Sequence, residues 1–298
     1  MNLIMTFRTI KFVTDSVADL PGDLIKEWDI TVVPAFVIQG SESYADDGIQ
    51  LVREEFYEML RTIPDEIPTT AAMPPDMARE GIQNAFDKGA DHVIIVVTPP
   101  GLSGIYNSMR IAKREFPKEQ VTLIDSEQVS MGIAWQVLLG AEVAAETGDI
   151  EKTIAAIEQV RKHQHVYAVL TTLEFLRRSG RVSNVAASIG SILGIKLVIQ
   201  VRDGQILPVA RVRTFKRALA KIAELVQPHA PFDRLAIMHA INPDGASALI
   251  ERLGDIVPPE ISIGSICPGI GVHGGPGIVG LATVSKGWND AIGIRNAS

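Results

Sequence analysis

His92-Val93-Ile94-Ile95-Val96-Val97-Thr98-Pro99-Pro100-Gly101-Leu102-Ser103-Gly104 is the stretch on which the fold class turns. An apolar run of strand length enters a Pro-Pro-Gly turn, and Ser103 then starts a helix that continues to Arg114. A buried strand feeding straight into a helix is the repeating unit of a parallel sheet with crossover helices. The pattern recurs on both sides. Upstream, Ile10–Thr14 is a short buried strand that ends in Thr14-Asp15-Ser16, and Asp19 caps a helix starting near Pro21. Thr31–Ile38 is a second strand, Val52–Ile63 a helix, and a further helix with Met77, Ile82 and Phe86 on one stripe follows residues 68–75. Downstream, Val121–Asp125 is one more strand. Helices over Met131–Glu146 and Ile150–His163 come next, divided by Gly148.

The second half has a different grammar. Val166–Thr172 is a strand, Leu173–Arg178 a helix broken by Ser179-Gly180-Arg181, and Val185–Leu193 a helix of small apolar residues. Ile195–Val201 and Gln205–Arg211 flank Asp203-Gly204, the signature of a tight hairpin. Thr214–Val226 and Ala246–Leu253 read as helices. Leu235–His239, Ser262–Ile266 and Ile278–Val284 read as strands, with a glycine-rich loop before the last. A hairpin within an α/β alternation predicts a mixed sheet. The expected architecture is therefore α/β in two domains: residues 1–165 with a mostly parallel sheet and flanking helices, and residues 166–298 with a mixed sheet.

Composition narrows the function classes. The 298 residues are 46% hydrophobic and 21% charged, ordinary globular usage rather than disorder. Lys and Arg total 28 against 35 Asp and Glu, a net charge of −7, and no dense basic stretch offers a phosphate-backbone footprint, so nucleic acid is not an expected partner. Cys267 is the only cysteine, which excludes an intrachain disulfide and a thiolate metal cage and suits a reducing, cytoplasmic setting. No run reaches the ~18 apolar residues of a membrane helix, so stable membrane insertion is not expected. The six histidines lack metal-ligand spacing, and His163-Gln164-His165 reads as a solvated helix end. Neither metal nor cofactor is predicted.

Two familiar signatures fail on context. Gly269-Ile270-Gly271-Val272-His273-Gly274 matches G-x-G-x-x-G, yet Pro276 and Gly277 follow where the helix of a dinucleotide-binding unit belongs. His273-Gly274-Gly275-Pro276-Gly277 resembles an oxyanion-hole loop. Its only nucleophile-elbow candidate, Gly101-Leu102-Ser103-Gly104-Ile105, lies upstream and has Ile105 in place of the second glycine. Three loops carry more weight: residues 68–75, 99–104 and 271–277. The first two place hydroxyls at helix N-termini, where backbone N–H groups and the helix dipole attract an anion. Each alone is also what a plain N-cap looks like.

Taken together and in order, these segments resemble the DegV family of bacterial fatty-acid-binding proteins over nearly the whole chain. The family's T-D-S-x-x-D-L-P stands here as Thr14-Asp15-Ser16-Val17-Ala18-Asp19-Leu20-Pro21, and its L-S-G-T-Y as Leu102-Ser103-Gly104-Ile105-Tyr106. Ile124-Asp125-Ser126, Gly180-Arg181-Val182-Ser183, Arg213-Thr214-Phe215-Lys216-Arg217-Ala218 and His273-Gly274-Gly275-Pro276-Gly277 follow in register. The T-S-Q-P-S-P segment is the poorest match: Thr70-Ala71-Ala72-Met73-Pro74-Pro75 keeps Thr70 and the final proline. The resemblance implies a protein that holds one long-chain fatty acid in a buried tunnel with its head at the interdomain cleft. It is a carrier and not an enzyme, and it presents the carboxylate to a fatty acid kinase. By match, Thr70, Ser103, Gly104 and His273 bind the carboxylate, and Arg181 and Arg213 face the partner or an acyl phosphate, with Lys216 nearby in sequence. Ala71 and Ile105 replace hydroxyl residues of the family pattern, which affects head-group geometry more than tail binding.

The physics permits such a ligand. Burying a sixteen-carbon tail contributes about 0.8 kcal/mol per methylene, on the order of 10 kcal/mol before the cost of ordering the ligand. An unpaired buried carboxylate would undo that gain, so fixed donors at the head are required. Residues 185–193 are the candidate tail wall, a stretch that serves equally for close helix packing. The alternative reading is an esterase or acyl transferase using Ser103 and His273, with Asp125 or Asp15 as the acid behind the imidazole.

Overall fold

The computed structural model describes residues 8–62, 68–180 and 194–293. In chain order the N-terminal half contains β1 (Ile10–Asp15), α1 (Gly22–Glu27), β2 (Thr31–Val33), β3 (Phe36–Gln39), β4 (Glu42–Ala45) and α2 (Arg53–Thr62). It continues with β5 (Thr69–Ala71), α3 (Pro75–Asp87), β6 (His92–Val97), α4 (Ile105–Ala112), β7 (Val121–Asp125), α5 (Met131–Thr147) and α6 (Ile150–His163). The C-terminal half follows with β8 (Gln164–Leu170), α7 (Glu174–Arg178), β9 (Lys196–Arg202), β10 (Gln205–Val212) and α8 (Phe215–Val226). It closes with β11 (Phe232–His239), α9 (Pro243–Leu253), β12 (Ser262–Ser265), α10 (Pro268–Gly274) and β13 (Val279–Ser285).

β1, β2, β6 and β7 form the expected parallel sheet in the order β2-β1-β6-β7. Both faces are buried, as parallel strands require. Val13, Val93 and Ile95 pack with Ile82 of α3 and Met109 of α4, while Phe12, Ile94 and Val96 belong to the core that holds α5. The second half is a six-stranded mixed sheet, β10-β9-β8-β13-β11-β12, in which only the β11–β12 pair is parallel. The Asp203-Gly204 turn closes the antiparallel β9–β10 hairpin as its sequence predicts. Helices α8 and α9 cover one face of this sheet, where Leu219, Ile222 and Leu249 meet Val169, Val198 and Leu281.

α5 lies between the two sheets, which explains why Met131 to Ala144 is buried nearly all round instead of along one stripe. Trp135 Nε1 donates to the Ala282 carbonyl of β13 at 3.2 Å. Gly132 permits the close approach, since a Cβ there would stand 2.8 Å from Val166 Cγ2 of β8. Among the described residues, no helix is long and apolar enough to cross a membrane.

The structure corrects the sequence reading in several places, first at Asp19, which does not cap α1: the N-cap is Pro21, without a side-chain hydrogen bond. The run Thr31–Ile38 is two strands, because Pro34 has no N–H to continue a ladder; β2 stays in the parallel sheet and β3 joins a separate antiparallel sheet, β4-β3-β5. Residues 69–71, read as loop, are strand β5 of that sheet. The glycine-rich segment before β13 is helical over α10, started by Pro268 after Cys267 at the N-cap. Its glycines serve contact: a Cβ on Gly271 would stand 2.5 Å from Tyr57 Oη. Finally, α6 ends at His163, and His165 sits within β8, half-buried and stacked on His229 with ring centroids 3.6 Å apart. The small-residue stretch 185–193 and Arg181 lie outside the described residues.

Candidate functional site

A cavity of about 140 Å³ lies between the inner face of the six-stranded sheet and the loops of the N-terminal half. Its walls are overwhelmingly apolar: Val129, Val166, Leu170, Leu176, Ile199, Val201, Ile206, Ile266, Ile270 and Ile278 are among the lining side chains. Polar groups enter from a few loops, notably through Thr70, Thr98, Ser103, Ser130 and His273. An apolar void with a few polar atoms in its lining is the arrangement that binds an amphipathic small molecule.

Each polar position has a local cause. Thr70 is the middle residue of β5, paired with Val37, and its Oγ1 lies 3.0 Å from His273 Nε2 in the last turn of α10. Ser103 sits in the turn between β6 and α4. Its backbone N–H donates to the Pro99 carbonyl at 3.1 Å and its Oγ accepts from Ile105 N at 3.3 Å. Gly104 is the N-cap of α4 and stands between Ser103 and Ile105, which line the cavity. The two loops touch, since a Cβ on Gly104 would stand 3.4 Å from Ala72 Cβ. The β9–β10 turn closes over the same region: a Cβ on Gly204 would come 3.3 Å from Pro99 Cβ, and Gly204 N donates to the Glu127 carbonyl at 3.0 Å. Thr70, Ser103 and His273, distant in the chain, thus line one cavity.

Other expected positions fall elsewhere. Arg213 and Lys216 are exposed at the β10–α8 junction and do not line the cavity. Asp15, a candidate acid behind an imidazole, is fully buried and already committed. Its Oδ1 accepts from Val17 N at 2.9 Å and Thr98 Oγ1 at 3.0 Å, and its Oδ2 from Thr98 N at 2.8 Å. Asp125, the other candidate, accepts from Glu127 N through Oδ1 at 2.9 Å. The Thr14-Asp15-Ser16 segment therefore acts as a clasp: Thr14 Oγ1 donates to the Val96 carbonyl, and Ser16 Oγ accepts from Ala35 N.

Sequence reasoning missed the buried polar seam beside the cavity. Asp19 Oδ1 accepts from Cys267 N at 2.8 Å and lies 3.2 Å from Arg53, while Ser130 Oγ donates to Asp19 Oδ2 at 2.5 Å. Asp46 Oδ2 accepts from Gly269 N at 2.9 Å, Tyr57 Oη donates to the Ile266 carbonyl at 3.2 Å, and Arg53 donates to the Ser265 carbonyl. These groups tie α2 and the Asp15–Asp19 turn to the start of α10, and hence fix the helix that carries His273. Asp19 stands in the motif quoted above, but no signal in the chain pairs it with Arg53.

Burial pushes the Asp15 and Asp46 carboxyls up to about 6 and also raises Asp19, against the lowering effect of their hydrogen bonds. Asp15 thus keeps its proton in the folded state from pH 3.8 to about 6, where the unfolded chain has released it. The stability contributed by this group is present below the lower value and lost as pH rises through the upper one. Asn does not titrate. The stability gap between the wild type and Asp15→Asn is therefore expected to move toward the variant by on the order of 3 kcal/mol between pH 4 and pH 7. Urea unfolding at the two pH values measures it, and a constant gap would show that folding does not raise the Asp15 carboxyl above its unfolded value.

Among the described residues, no group of three or more His, Cys, Asp or Glu side chains is arranged to hold a metal ion. Comparison with known proteins gives a consistent relationship. The model described as "Uncharacterised protein, DegV family" matches residues 9–286. A DegV domain-containing protein of Streptomyces coelicolor is 31% identical over 285 residues, covering 94% of this chain and 99% of its own. Among solved structures, a DegV family protein of Thermus thermophilus described by its fatty acid binding superposes with a TM-score of 0.86 at 28% identity, covering 93% of this chain and 99% of that one. DegV of Bacillus subtilis, described as a fatty acid binding protein, superposes with a TM-score of 0.83 at 28% identity, covering 94% and 100%.

Proposed function

This chain belongs to the DegV family, and from that premise we propose that it binds one long-chain fatty acid, tail in the apolar cavity and carboxylate at Thr70, Ser103, Gly104 and His273. The observation that carries the reading is the convergence of Thr70, Ser103 and His273 on a cavity whose walls are otherwise apolar. The solved relatives from Thermus thermophilus and Bacillus subtilis, both described as binding fatty acids, support it. With the proton on Nε2, the imidazole donates to Thr70 Oγ1 and leaves the Thr70 hydroxyl to donate to the ligand. Ser103 accepts from Ile105 N and keeps its own O–H for the same purpose. The α4 N-terminus adds favourable potential for an anion.

The ligand lies in the cleft between a domain of residues 1–165 and one of residues 166–298, and the protein acts as a carrier that presents the carboxylate to a fatty acid kinase. Motif resemblance supports that finer step, and Arg213 is exposed as a partner-facing residue must be. Against the esterase reading, both carboxylate oxygens of Asp15 are already engaged by backbone and Thr98 donors. Native mass spectrometry of the purified protein is expected to show an added mass of one C16–C18 acid, removed by denaturing solvent. A clean apo mass with no uptake of palmitate or oleate would overturn the proposal.

A further inference from the structure

We infer that Met238 is the partition that ends the acyl cavity and sets the longest chain the protein accepts, an inference that rests on the fatty-acid reading of that cavity. A second and larger cavity, of about 530 Å³, lies beside the first. Its walls are mixed, with Leu20, Ile25, Val32 and Met131 alongside Asp46 and Arg53. Met238 lines both cavities.

The strand register shows why this residue separates them. Met238 lies on β11 opposite Gly280 of β13 and Gly264 of β12. Gly280 in turn pairs with Ala168 of β8 and Ala168 with Ile199 of β9. Along this row, Ile199, Ala168 and Gly280 face the acyl cavity, and Gly264 faces the second one. Neither cross-strand partner of Met238 has a side chain, so the thioether has no side chain beside it on either adjacent strand. It lies over the outer glycine: a Cβ on Gly264 would stand 3.1 Å from Met238 Cε and 3.3 Å from its Sδ. Met238 is buried, and its unbranched side chain can turn toward either cavity.

Removing the side chain joins the cavities, and filling Gly264 presses the thioether back toward the acyl chain. Binding of saturated C14 to C22 acids, measured by displacement of a fluorescent fatty acid, reads both effects. Met238→Ala is expected to move the optimum to longer acids, with about fifteen-fold tighter binding for the first two methylenes newly admitted. Met238→Leu, which keeps the partition, is expected to retain the wild-type order. Gly264→Ala is expected to shift the optimum to shorter acids, and it keeps the inference testable should Met238→Ala not fold. Folded variants that bind acids in the wild-type order of chain length would overturn the inference and leave the fatty-acid reading standing. A wild type that takes up no acid overturns both.

Discussion

Thr70→Val combined with Ser103→Ala is expected to weaken palmitate binding by roughly two to four orders of magnitude. On the proposed reading, each hydroxyl would supply one hydrogen bond to the carboxylate of the ligand in a cavity whose walls are otherwise apolar. Hydrogen bonds to charged groups contribute about 1.5–3 kcal/mol each, which sums to about 3–6 kcal/mol for the pair. Valine preserves the shape of Thr70 in β5, and alanine keeps the helix start at Gly104, so the loss falls on the ligand head and not on the fold. Methyl palmitate, which has the same tail and no charge, is expected to lose far less. Isothermal titration of the wild type and the double variant with both ligands decides the matter. Palmitate affinity within threefold of wild type would remove these hydroxyls from the head-group site.

The second large effect lies at the seam. Asp19→Ala removes the partner of Arg53 and the acceptor of the Cys267 N–H and the Ser130 hydroxyl in a single step. Breaking one side of a buried ion pair costs about 3–5 kcal/mol, because the other charge is left without compensation. Asp19 is wholly buried and Arg53 half-buried, so solvent screens the pair little. Denaturant unfolding is expected to show that loss. Replacing both partners at once, as Asp19→Leu with Arg53→Met, is expected to be less harmful than Asp19→Ala alone, since no unpaired charge remains. Palmitate binding should fall along with stability in the single variant, because Asp19 holds the N-terminus of the helix whose last turn carries His273. A loss below about 1 kcal/mol would show that the pair is dispensable.

Both predictions depend on contacts between residues far apart in the chain, which explains what was readable in the sequence. The parallel strands, their crossover helices and the Asp203-Gly204 hairpin were legible, because apolar period, helix caps and turn residues act over a few neighbours. The candidate head-group residues were also legible, through short motifs in a fixed order. The break at Pro34 was visible in the chain, yet the destination of β3 was not, since its partners β4 and β5 are set by pairing and not by propensity. The helical state of the glycine-rich segment at 268–274 was hidden for a related reason. Glycine disfavours a helix locally, and here close contact with Tyr57 and Asp46 outweighs that preference.

The chain by itself thus determined the α/β class, the parallel strands with their crossover helices, and the Asp203-Gly204 hairpin. Tertiary structure alone decided that Thr70 meets His273 across 203 positions, that Asp19 meets Cys267 across 248, and that Met238 stands between two cavities. The physical reason is range. Periodicity and capping are settled by residues within a turn or two, whereas register, burial of charge and the placing of a void depend on which distant surfaces exclude water from one another.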